Sequence, residues 1–88
     1  MPLWEIEYAN EVRNYFLDND PYSFDLLVRI EELRYSPDAI PPEGCTPLTE
    51  EPNNYLWLVL NHVVVYEKVG TNLLKIWAVK PLEGQNEA

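Results

Sequence analysis

The chain is short of three things that small proteins use for chemistry: cysteine, histidine and positive charge. Cys45 stands alone, which excludes an internal disulfide and leaves packing to hold the fold. His62 is the one histidine. Six Lys and Arg face fifteen Asp and Glu, for a net charge of -9. Polyanion binding draws on clustered cations that release counterions, so this excess disfavours nucleic acid as a partner and favours a basic protein or peptide. Long apolar runs are missing too. The longest uncharged stretch, Pro52 to Tyr66, is interrupted by Asn53, Asn54, Asn61 and His62, too short and too polar for a membrane span. With no charged start leading into an apolar run, cytoplasmic residence is the expectation.

What is present is a globular composition. Hydrophobic residues make up 47% and aromatics 12%, with three Trp and six Tyr, enough for one modest core and one domain spanning residues 1–88. The acidity is uneven. Residues 1–54 hold three Arg and twelve acids, whereas residues 55–88 balance Lys68, Lys75 and Lys80 against Glu67, Glu83 and Glu87.

Trp4, Ile6 and Tyr8 alternate with Glu5 and Glu7, the pattern of a half-buried opening strand with its acids outward. Asn10 is placed to cap a helix in which Val12, Tyr15 and Phe16 share a face as far as about Asp18. Asp20 and Pro21 supply the cap and first residue of a second helix running to Tyr35. Leu26, Leu27, Ile30 and Leu33 recur there at helical spacing, and Phe24 and Val28 widen the stripe, so deep packing is expected. Ser36 to Asn54 then carries five prolines and Gly44 without periodicity. So long an irregular connection predicts either a functional loop or a short extra strand or turn near Thr46 to Thr49. Glu83 to Ala88 is a polar tail expected to fray.

The segment YLWLVLNHVVVYEKVGTNLLKIWAVKPL, Tyr55 to Leu82, holds three β-branched and aromatic runs parted by Asn61-His62 and Gly70-Thr71-Asn72. It predicts a three-stranded antiparallel meander. With Asn61 and His62 as turn residues, Leu60 faces Val63, Val59 faces Val64, Leu58 faces Val65 and Trp57 faces Tyr66. Period-two alternation then puts Leu58, Leu60, Val63 and Val65 on one aliphatic face and Trp57, Val59, Val64 and Tyr66 on the other. In the last run Leu74, Ile76 and Ala78 oppose Leu73, Lys75, Trp77 and Val79. The aliphatic set is expected against the helices. Trp57, Tyr66 and Trp77, with Lys68 and Lys75 beside them, are expected on the open face, where either a partner binds or the proline loop folds back.

Strand, helix, helix, loop and meander is the order of the RelE/ParE toxins, including HigB-like members. The chain resembles that family through WEIEYANEVRNYF, Ser36-Pro37 and LWLVLNHVVVYEKVGTNLLKIWAVKPL. The resemblance implies an α+β fold, β-α-α-β-β-β, with two helices packed on one face of an antiparallel sheet. It also implies a bacterial toxin that cuts messenger RNA on the ribosome or inhibits gyrase, held inactive by a protein antitoxin. Tyr66 matches the family's tyrosine of the middle strand. Where the family places arginines to hold phosphate and transition-state charge, this chain has Val63 and Pro81.

The candidate chemistry is correspondingly thin. Tyr66, Lys68 and Lys75 are the only candidates for a catalytic site. His62 reads as a turn residue and Cys45 as an incidental thiol. Glu5 with Glu7, Glu31 with Glu32 and Glu50 with Glu51 read as solvated acids without metal-ligand spacing. No cofactor or metal is implied. The expectation is a RelE/ParE-like protein that has lost catalytic residues and acts by protein-protein interaction, with a protein partner or as a homodimer, through Trp57, Tyr66 and Trp77. The alternative is an active ribosome-dependent mRNA interferase. Assembly into a larger complex is a third reading.

Overall fold

The computed structural model describes residues 3–19 and 24–82. The alternating opening segment forms β1 (Glu5–Tyr8), with Trp4 buried and Ile6 and Tyr8 packed against the core. Helix α1 (Asn10–Asn19) follows. Its first turn closes on the Ala9 carbonyl, which accepts from the Val12 and Arg13 N–H groups at 2.9 and 3.0 Å, so Asn10 is the first helical residue and not the cap. Helix α2 (Phe24–Glu31) tightens into a 3-10 turn, Glu32–Tyr35. The expected capping by Asp20 and Pro21, like the tail from Glu83, lies outside the described residues.

The proline-rich connection is not wholly irregular. It contains β2 (Thr46–Pro47), paired antiparallel with Tyr55 and Leu56 of β3 (Asn54–Val59). Strands β4 (His62–Val69) and β5 (Leu73–Pro81) complete the meander. The sheet order is β1-β5-β4-β3-β2. The fold is therefore α+β, two helices with a five-stranded sheet, but the sheet is mixed and not antiparallel, because β1 runs parallel to β5. The helices, loop and earlier strands between them supply the long crossover that parallel neighbours need.

The first meander turn sits one residue earlier than expected. Val59 pairs with His62, and the two turn residues are Leu60 and Asn61, at φ 50° and 62°. Two adjacent left-handed residues match the right-handed twist of a tight hairpin. His62 is thereby a strand residue. Its Nδ1 lies 2.7 Å from the Leu60 carbonyl and its Nε2 2.7 Å from the Tyr15 hydroxyl. A carbonyl can only accept, so in the neutral ring Nδ1 donates there and Nε2 accepts from Tyr15.

Moving the turn by one residue preserves the parity of both strands, so the expected partition of side chains holds. The side that is buried is the opposite one. Trp57, Val59, Val64 and Tyr66 are in the core with Val12, Leu26, Ile30 and Leu33, whereas Leu58 and Leu60 are 57% and 48% exposed. A register irregularity between Val65 and Tyr66 brings Ala78 opposite Val65 and Ile76 opposite Tyr66, leaving Trp77 as the extra residue. Such a bulge reverses the side-chain parity beyond it. Leu74 and Ile76 before it and Val79 after it all reach the core. Phe24 and Val28, expected to pack deeply, are 56% and 40% exposed, because Leu26, Ile30 and Leu33 turn the opposite side of α2 toward the sheet.

A leucine held at φ 50° costs about 1 kcal/mol relative to a residue that tolerates the left-handed region. Leu60→Asn is therefore expected to raise the unfolding free energy by about 1 kcal/mol, measured by urea denaturation at low protein concentration.

Candidate protein-binding face

Tyr66 is brought to the centre of the inner face by β4, where it is fully buried. Its hydroxyl donates to the Ala39 carbonyl at 2.7 Å and lies 3.4 Å from Cys45 Sγ. Burial, then the neighbouring thiol, push the phenol above its ordinary range, so it stays protonated. Tyr55 stacks on Tyr66 at 5.6 Å between centroids, and Trp57 meets it edge-on at 6.3 Å. The Trp57 Nε1–H donates to Glu43 Oε2 at 2.8 Å, and Arg29 holds the other oxygen of that carboxylate at 2.7 Å. The proline loop thus folds back over the aromatic side of the sheet. Its Ala39 is itself wholly buried.

The three catalytic candidates do not converge in the open. Lys68 shares the inner parity of Tyr66 and lies over the Tyr55 ring, 5.0 Å from its centroid. Lys75 is on the opposite face, 4.3 Å from the Trp77 ring centre, and Trp77 Nε1–H donates to Glu67 at 2.9 Å. Trp57 and Tyr66 are buried while Trp77 is 40% exposed on the other side, so the single exposed platform expected of these three residues does not exist. The pairing of Tyr66 with Ile76 leaves Trp77 on the side of Lys75.

Two arginines near the core are held by acids. Arg29 bridges Glu32 and Glu43. Arg34 pairs with Glu31, which also accepts from the Tyr8 hydroxyl. Burial pushes the Glu31 carboxyl up, but bonds from Arg34 and Tyr8 outweigh it and hold the group below the usual range. Among the described residues no three His, Cys, Asp or Glu side chains gather as a metal site. No helix among them is long and apolar enough to cross a membrane.

What the sequence reading missed is the other face of the sheet. Cross-strand rows place Lys80 beside Val63, itself opposite Leu58, and Ala78 beside Val65, itself opposite Leu56. Toward the other end Glu7, Lys75 and Glu67 lie abreast, and Glu5 sits beside Leu73. On this side Leu58 is exposed and Leu56, Val63 and Val65 are half-buried. Trp77 and Val65, with Leu48 and Glu51 of the loop, line a shallow cleft of about 540 Å³ there. One signal was available. Lys75 and Lys80 have opposite parity, and only an extra residue between them keeps both ammonium groups out of the core.

No family model, curated protein or solved structure matches this chain.

Removing the Tyr66 hydroxyl leaves the buried Ala39 carbonyl unpaired. Tyr66→Phe is expected to cost about 1–2 kcal/mol of stability, read from chemical denaturation. Burial raises the Glu43 carboxyl, but the Trp57 N–H, its own backbone N–H and Arg29 outweigh this and lower it below its usual 4.5. A depressed carboxyl contributes stability above its unfolded pKa and loses it as pH falls through the folded value. The stability gap between the native chain and Glu43→Gln is expected to be constant from neutrality to about pH 5 and to close below that, measured by denaturation at stepped pH.

Proposed function

We propose that this chain is a RelE/ParE-like protein that has lost its catalytic cations and acts by protein-protein interaction, through the uncovered outer face of its sheet. The observation that carries the reading is the apolar character of that face. A sheet with one side in water alternates apolar and polar residues, whereas strands covered on both sides read as continuous apolar runs. Here Leu56, Leu58, Val63 and Val65 are apolar on the open side while Trp57, Val59 and Val64 fill the core. Exposed contiguous apolar surface on a small protein marks an interaction site.

The same geometry supports the loss of catalysis. A tyrosine that takes part in RNA cleavage must reach substrate, and the Tyr66 hydroxyl is buried and committed to Ala39. Val63 and Pro81 stand where the resembled family carries arginines, and each supplies only hydrocarbon. The competing interferase reading draws on Lys68, whose ammonium is one stacked ring away from Tyr66.

Induced expression in a bacterial host separates the two. Unchanged growth and intact messenger RNA are the expected result, for the native chain and for Lys68→Ala alike. Growth arrest with transcript cleavage, relieved by Lys68→Ala or Lys75→Ala, would establish the interferase instead.

A further inference from the structure

The open face carries charge of opposite sign at its two ends. Glu5 and Glu7 of β1 lie at the end where β5 begins, and Lys80 lies at the end where β5 finishes. Lys80 shares its row with Val63 and Leu58, and the apolar row of Ala78, Val65 and Leu56 lies between that row and the Glu7 row. We infer that two copies of the chain associate sheet on sheet through this face, about a two-fold axis that runs across the strands. The inference rests on the protein-binding reading above and names its partner.

The charges select this axis. Rotation about a line across the strands reverses strand direction while keeping β5 over β5. Each Lys80 then arrives at the Glu5 and Glu7 end of the other copy, and the two Trp77 side chains come together near the middle. Rotation about a line along the strands would instead bring lysine end to lysine end and glutamate end to glutamate end. A two-fold interface is self-complementary, so one patch must carry both signs. This one does.

Charge on the rest of the surface fits the same arrangement. The acids of α1, α2 and the 3-10 turn, including Glu11, Asp25 and Glu32, lie on the far side of the molecule from this face. Stacking the sheets therefore buries the least acidic surface and keeps the most acidic ones apart. Strands about 4.8 Å apart, with outward residues about 6.7 Å apart along each, give a footprint of roughly 20 by 20 Å. That is about 800 Å² over both copies, below the usual range of stable interfaces, and corresponds to a weak, concentration-dependent dimer.

Sedimentation velocity over a wide concentration series, at physiological ionic strength where repulsion is screened beyond about 8 Å, tests this. The native chain is expected to pass from monomer to dimer. Leu58→Asp, at a position already 57% exposed, is expected to weaken the dimer about tenfold or more, because it buries an unpaired charge. Lys80→Glu is expected to weaken it by about threefold to tenfold, and Glu7→Lys in the same chain to recover most of that loss. Circular dichroism confirms that each variant is folded. A native chain that stays monomeric throughout would overturn the inference, as would a dimer indifferent to Leu58→Asp or a Lys80→Glu loss that Glu7→Lys does not repair. None of these outcomes produces growth arrest or RNA cleavage, so failure here is distinguishable from failure of the non-catalytic reading.

Discussion

Two polar atoms set the terms for the whole fold: the Tyr66 hydroxyl and the Trp57 indole N–H, both attached to side chains buried at the centre of the sheet. Burying such groups without partners would cost roughly 1–3 kcal/mol each. The proline loop supplies the partners, the Ala39 carbonyl and the Glu43 carboxylate. Prolines restrict the unfolded loop and so lessen the entropy lost when it docks. The loop is thus the lid of the core, and Arg29 ties that lid to α2 through Glu43.

This dependence explains which parts of the fold were legible in the sequence. Local signals placed the opening strand, both helices and the meander, because Trp4 to Tyr8 and the run from Tyr55 to Leu82 each carry their own periodicity. They also sorted the side chains of β3 and β4 into the right two sets. The choice of which set to bury depends on a contact distant in sequence, that of Ala39 with Tyr66, and no local pattern encodes it. Aliphatic side chains have no polar end to satisfy and look like the natural core. Once a loop satisfies the polar ends, the larger aromatic surfaces gain more from burial.

The candidate site was less legible than the fold for a related reason. Trp57, Tyr66 and Trp77 look equivalent in the sequence, and alternation along β5 groups Trp77 with Lys75 without saying which of the two β5 sets shares a face with Tyr66. Tyr66 instead pairs with Ile76, so Trp77 stays outward with Lys75 and Glu67, and the extra residue turns Val79 inward and Lys80 outward. Charge was easier to read. The scarcity of cations is visible in the composition, and folding does not undo it, since Arg29 and Arg34 are engaged by glutamates.

Burying the aromatic set commits the aliphatic set to the other side, because a pleated strand offers no third direction. That commitment alone does not require Leu58, Val63 and Val65 to be apolar. Threonine, lysine or glutamate at these positions would suit an open sheet face and would leave the core packing untouched. Leu60 sharpens the point, since it occupies a left-handed turn position that asparagine or glycine fills at lower cost, and it is nearly half exposed. A half-exposed leucine in that conformation gains little within one copy of the chain. The sheet-on-sheet pairing inferred above would cover the tip of that hairpin and the rows beside it, and so give this hydrocarbon a physical reason.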